Sequence, residues 1–142
     1  MKILLAVDGS SHSNKATETL IKHVALYKDA PEVLLLYVHL PVPKLHGMGN
    51  VVSREMINRY YLDESEEALA RSRRMLDKAK IAYQAQSLVG PVAETIVKQA
   101  ETNDCGLIYM GTRGMGALKT AMLGSNAVKV LHIGRIPVVL VK

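Results

Sequence analysis

A chain of 142 residues, 49% hydrophobic and 22% charged, is long enough to bury its own core and too apolar for disorder, so one domain spanning residues 1–142 is expected. The net charge of +5 makes anions natural partners, but tryptophan and phenylalanine are absent and the six tyrosines do not interleave with the basic residues, which argues against nucleic acid as the partner. The single cysteine, Cys105, allows no internal disulfide and reads as a small buried hydrophobe; no apolar run approaches the roughly 20 residues of a membrane span, and the N-terminus turns polar too early for a signal peptide, so a cytoplasmic protein without a membrane partner is expected.

In chain order, "KILLAV" is a short apolar run that stops at "DGSS", as a buried strand ending near Val7 should. Ser10, Ser11 or Ser13 can cap the following helix, whose stripe is Ala16, Leu20 and Val24. "EVLLLYVHL" predicts a second buried strand. Residues 41–50, "PVPKLHGMGN", predict a loop able to serve as a lid. A long polar helix follows over residues 53–80 with Leu69, Leu76 and Ala79 inward. Its basic stretch "RSRRMLDKAK" is compensated by "DESEEA" and reads as a solvated surface. "IAYQAQSLV" alternates like a less buried strand near a sheet edge.

"GPVAETIVKQAETND" predicts a helix with Pro91 in its first turn and Val92, Ala93, Ile96, Val97 and Ala100 in one stripe. "GLIYMG" predicts strand four, residues 125–133 a short helix, and "IPVVLVK" strand five. Strand and helix alternate throughout, which implies an α/β fold, an open parallel sheet with helices on both faces. Ligands of such sheets sit at the carboxyl ends of the strands, where "DGSSHS" and "GTRGMG" both lie.

The stretch "GTRGMGALKTAMLGS" fits neither of two familiar phosphate motifs. A Walker loop fails because Ala117 and Leu118 separate Gly116 from Lys119 and Thr120, and a dinucleotide fingerprint fails because Lys119 stands where a third glycine belongs. What remains is a glycine loop whose N–H groups can approach an anion, then a helix start bearing a hydroxyl at Ser125. Arg113 and Lys119 add positive charge, and no acid lies between Gly111 and Ser125. Bare glycine loops are commonly structural, but this one joins a strand to a capped helix at the ligand edge, which favours binding.

The spacing G-x2-G-x9-G-[ST], with "KILLAVDGSSHSNKA", "PVAETIVKQAE" and the terminal "IPVVLVK", resembles the ATP-binding branch of the universal stress protein family along the whole chain. That resemblance implies a five-stranded Rossmann-like sheet of order 3-2-1-4-5, with ATP across the ends of strands one, two and four. It also implies that Asp8, with Ala6 and Val7, borders the adenosine, that Val38 offers main-chain bonds to adenine, and that Met110 and Gly111 line base and ribose. Gly114 with Arg113, Met115 and Gly116 would wrap the phosphates, Thr112 belonging to the same cofactor-binding loop, and Gly124, Ser125 and Asn126 would donate from the helix start. This chain departs from the family's usual histidine at Tyr37 and its usual valine at Asn126, the latter change adding a donor.

Asp8, His12 and His39 stand near these loops without forming a recognisable catalytic dyad, and magnesium, if present, would be held mainly by the triphosphate. Three readings stay open: an ATP-binding regulatory module of the stress response, a slow ATPase or phosphotransfer enzyme, and a dimeric scaffold with an empty loop. The apolar last strand would be an exposed edge, so a homodimer through it is expected, and proline at Val139 should then yield monomers.

Overall fold

The structure, a computed structural model, describes residues 1–43, 53–114 and 123–142. The elements are β1 (Lys2–Ala6), α1 (Ser11–Val24), β2 (Glu32–His39), α2 (Arg54–Lys78), β3 (Tyr83–Val89), α3 (Val92–Thr102), β4 (Cys105–Gly111), α4 (Ser125–Ile133) and β5 (Val138–Val141). All neighbouring strands are parallel, in the order β3-β2-β1-β4-β5. Most of the proposed lid, residues 44–50, lies outside the described residues.

Continuous apolar runs suit the three central strands because both of their faces are covered. Side chains alternate across the sheet, so Leu4, Ala6, Leu34, Leu36 and Val38 pack on one face with Ala93, Ile96 and Val97 of α3 and Ala127 and Val130 of α4. On the other face Ile3, Leu5, Val33, Leu35 and Tyr37 pack with Ala16 and Leu20 of α1 and Ala68, Leu69 and Leu76 of α2. Cys105 is buried, and burial pushes its thiol up. β3 is an edge strand with its side chains half-exposed or exposed, as its alternation predicts.

Two local expectations are corrected. Ala79 is exposed rather than inward, because α2 ends at Lys78 and the chain turns away through Lys80 at φ +56°. The buried stripe is instead Ser65, Ala68, Leu69, Ser72 and Leu76, with Ser72 Oγ hydrogen-bonded to Thr17 Oγ1 of α1 at 2.9 Å. Pro91 occupies the N-cap of α3, at ψ 124°, rather than its first turn.

Sheet order reverses beside β1: the chain builds β1, β2 and β3 outward in one direction, then crosses back to lay β4 on the opposite side of β1. Connections from β1 and β4 therefore leave in opposite directions, opening a crevice at the carboxyl end of the sheet.

Candidate functional site

That crevice is a cleft of about 900 Å³, within the range of small-molecule sites, walled by α2 on one side and by Val92, Ile96 and the start of α4 on the other. At its floor the turn after β1 is tightly determined. Gly9 has φ +80°, a conformation that favours glycine, and an added Cβ would stand 3.3 Å from Cα of Ala68. Asp8 Oδ1 accepts from the Ser10 N–H at 2.9 Å, and Ser10 Oγ accepts from the Ser13 N–H at 3.2 Å. Among the three serines that could cap α1, Ser10 does so. The N-cap amide of α1 and that of Ser13 are thus taken by side chains of the same turn.

β2 outruns β1. The Val7 N–H donates to the Leu36 carbonyl at 2.9 Å, which shows that the even-numbered residues of β2 turn their main chain toward β1. Two residues on, Val38 turns its carbonyl to the same side, past the last residue of β1. An acceptor therefore faces the cleft without a strand opposite it.

Beside it, Tyr37 lines the same wall, and burial together with the charges of Glu64 and Asp8 and the neighbouring Tyr60 pushes its phenol up to about 12. His39 donates from Nδ1 to the Leu40 carbonyl and sets Nε2 4.0 Å from Glu64 of α2, with Tyr37, Tyr60 and Tyr61 edge-on around its ring. Glu64 and Glu67 both line the α2 wall.

β4 ends against α1 so closely that a Cβ on Gly111 would meet His12 Cβ at 2.7 Å and its carbonyl carbon at 2.8 Å. Thr112 is fully tied: its N–H donates to Val141 at 2.8 Å, and its carbonyl accepts from the Gly124 N–H at 2.6 Å. This second bond brings the start of α4 onto the end of β4. Gly124 fits there because a Cβ would lie 3.3 Å from Arg113 Cα and 3.4 Å from the Thr112 carbonyl oxygen. Gly114 faces Asp8, whose Oδ2 would lie 2.5 Å from a Cβ at that position.

The capped start expected of α4 is corrected: its N-cap is Gly124, which has no side chain, Ser125 is the first helical residue, and no acid stands in the first turn. Its first helical bond runs from Val128 to Gly124, at 3.1 Å, so helical geometry leaves the N–H groups of Ser125, Asn126 and Ala127 without intrahelical acceptors. All three residues line the cleft. Such a start, at the positive end of the helix dipole, is suited to an anion.

Of the residues singled out from sequence, Ala6, Val7, Asp8, Val38, Met110, Gly111, Thr112, Arg113, Gly114, Gly124, Ser125 and Asn126 all line this one cleft. Met115, Gly116 and Lys119 lie outside the described residues. His39 reaches the cleft, whereas His12 is not among its lining residues and instead packs behind Gly111. Sequence reasoning missed the α2 wall: Glu64 and Glu67 sit inside "DESEEA", which by composition reads only as a solvated run. The signal was their spacing of three, on the face that also presents the buried Ala68.

The profile of the universal stress protein family matches residues 1–142. The universal stress protein MJ0531 of Methanocaldococcus jannaschii is 34% identical over 141 residues, which are 99% of this chain and 81% of that relative. The solved structure of the hypothetical protein MJ0577 is similar with a TM-score of 0.79 at 28% identity, covering 99% of this chain and 94% of that one. The universal stress protein of Archaeoglobus fulgidus, solved in complex with dAMP, has a TM-score of 0.66 at 21% identity, covering 100% and 98%. At that identity the likeness is one of fold.

Proposed function

Because the chain belongs to the universal stress protein family, we propose that it is an ATP-binding regulatory module of the stress response, acting in the cytoplasm. One observation supports this reading: the end of β4 and the uncapped start of α4 are joined by the Gly124–Thr112 bond, so main-chain groups of both segments border one part of the cleft, as a shared anion would require. The Val38 carbonyl, an acceptor suited to the amino group of adenine, lies across the same cleft. The dAMP complex of the Archaeoglobus protein supports an adenine nucleotide as the ligand class.

In this reading the phosphates lie on Arg113, Gly114 and the amides of Ser125, Asn126 and Ala127, while Asp8 and the ends of β1 and β2 take the nucleoside; the amides of Thr112 and Gly124, the latter expected to donate, are already bonded to Val141 and Thr112. Among the described residues no three histidine, cysteine or acidic groups are placed to hold a metal, so magnesium accompanying ATP would be held chiefly by phosphate oxygens, with Asp8 the nearest carboxylate to Gly114. Mass analysis of small molecules released on denaturing natively purified protein should return adenine nucleotide. Protein that carries none and shows no calorimetric binding of added ATP would sink the proposal.

A second reading, slow phosphate transfer, is favoured by the Asp8 carboxylate lying against Gly114. Several ATP molecules consumed per site by purified protein would establish it; a single bound equivalent recovered intact would establish the binder.

The protein is further proposed to act as a homodimer through β5, without nucleic acid. Val128, Leu131 and Ile133 of α4, the helix preceding β5, are large exposed apolar side chains that a partner could cover. The register revises the test. Pro137 and Val141 carbonyls accept from Ile108 and Thr112, so the odd-numbered residues of β5, Val139 among them, bond inward to β4, and proline at Val139 would split the sheet itself. The N–H of Leu140 faces the open edge, and Leu140→Pro should give a monomer by sedimentation; an intact dimer would refute this interface.

A further inference from the structure

The cleft is not uniform in charge along its length. At one end stand Arg113 and the free first amides of α4; at the other the α2 wall presents Glu64 and Glu67, one helical turn apart and turned to the same side. His39, with Nε2 at 4.0 Å, offsets the charge of Glu64 when protonated, whereas among the described residues Glu67 makes no ion pair. Asp8 reaches the first end, where its Oδ2 faces Gly114, so the excess of acid on the α2 side rests on Glu64 and Glu67. A carboxylate only accepts hydrogen bonds, so this wall suits sugar hydroxyls and base amino groups and repels phosphate oxygens.

α4 and α2 pack on opposite faces of the sheet, so in the nucleotide reading a ligand with its 5′ phosphate on α4 and its base at the β1 and β2 ends would bring its ribose past the α2 wall. We propose that Glu64 and Glu67 are specificity-determining residues that restrict the cleft to nucleotides phosphorylated at the 5′ end alone, excluding those with a second phosphate on the ribose 2′ or 3′ oxygen. The inference rests on the nucleotide reading above and adds to it a rule about which nucleotides enter. A purely steric cleft of about 900 Å³ would not make that distinction, since one extra phosphate is small beside it.

The test is calorimetric titration of the full chain with AMP and with adenosine 3′,5′-bisphosphate, which differ only at the 3′ oxygen. The bisphosphate should bind at least about tenfold more weakly, as expected for a divalent anion set near partly screened carboxylates. In the Glu64→Gln, Glu67→Gln double variant the ratio of the two affinities should fall toward one, and added salt should narrow it in the unaltered protein. Equal affinities in the unaltered protein overturn the inference while leaving the nucleotide reading intact. A large ratio that survives the double substitution also overturns it, by assigning the exclusion to shape. Failure of AMP itself to bind removes the nucleotide reading and this inference together.

Discussion

Two helices begin at the cleft, and they differ in what covers their first amides. α1 starts under its own side chains: Ser10 Oγ takes the Ser13 amide, and Asp8 takes that of Ser10. α4 starts at Gly124, which has no side chain to offer, and the next three residues, whose amides lack intrahelical acceptors, line the cleft. Both starts lie at the carboxyl edge of the same sheet and carry dipoles of the same sense. In the proposed reading the helix dipole does not by itself mark the anion site; what distinguishes the two starts is that α1 has a side-chain cap and α4 has none. The difference traces to single residues, serine and aspartate on one side and glycine on the other.

Erasing this difference should have the largest effect. Gly124→Asp places a carboxylate where it caps α4 and repels phosphate, while its Cβ presses on Arg113 at 3.3 Å. ATP affinity by calorimetry should fall by about a hundredfold, equivalent to about 2.7 kcal/mol. An affinity within a few fold of the original would mean that α4 does not hold the anion.

Ser10→Ala sharpens the contrast from the other side. Removing the cap of α1 should cost about 1 kcal/mol of stability in urea denaturation and leave nucleotide affinity within about twofold. If affinity fell with stability intact, the start of α1 would have to be counted as part of the anion site.

The smallest effect concerns the acidic side of the cleft. Tyr37 is raised from its ordinary 10.0 to about 12 by burial first and by Glu64 next, so the folded state keeps a proton that the unfolded chain loses. The stability this contributes is fully present below pH 10 and is lost as the pH rises through about 12. Glu64→Gln should bring the Tyr37 midpoint down by part of a pH unit in a tyrosinate absorbance titration, with Tyr37→Phe as the subtraction control. An unmoved midpoint would place Glu64 too far from the phenol to matter.

Much of this molecule was legible from local pattern. Apolar runs of strand length located β1, β2 and β4, a stripe at helical spacing located α3, and the α4 boundaries followed from Gly124 and Ser125. Ala79 was misplaced because a stripe extrapolated along a long helix carries no information about where the chain leaves it. Likewise, the sequence marked β5 as an edge, but only its register with β4 revealed that Val139 bonds inward.

What the sequence determined by itself is the set of elements and the glycines that allow close approach, because each depends on residues within a turn or two of one another. What only the tertiary structure decided is which of these elements meet. Residues of α2 read as plain surface became one wall of the cleft, and the β4 end met the α4 start through a bond between Thr112 and Gly124. Strand order and register set those meetings, and they arise from packing between segments far apart in the chain, which periodicity along it does not encode.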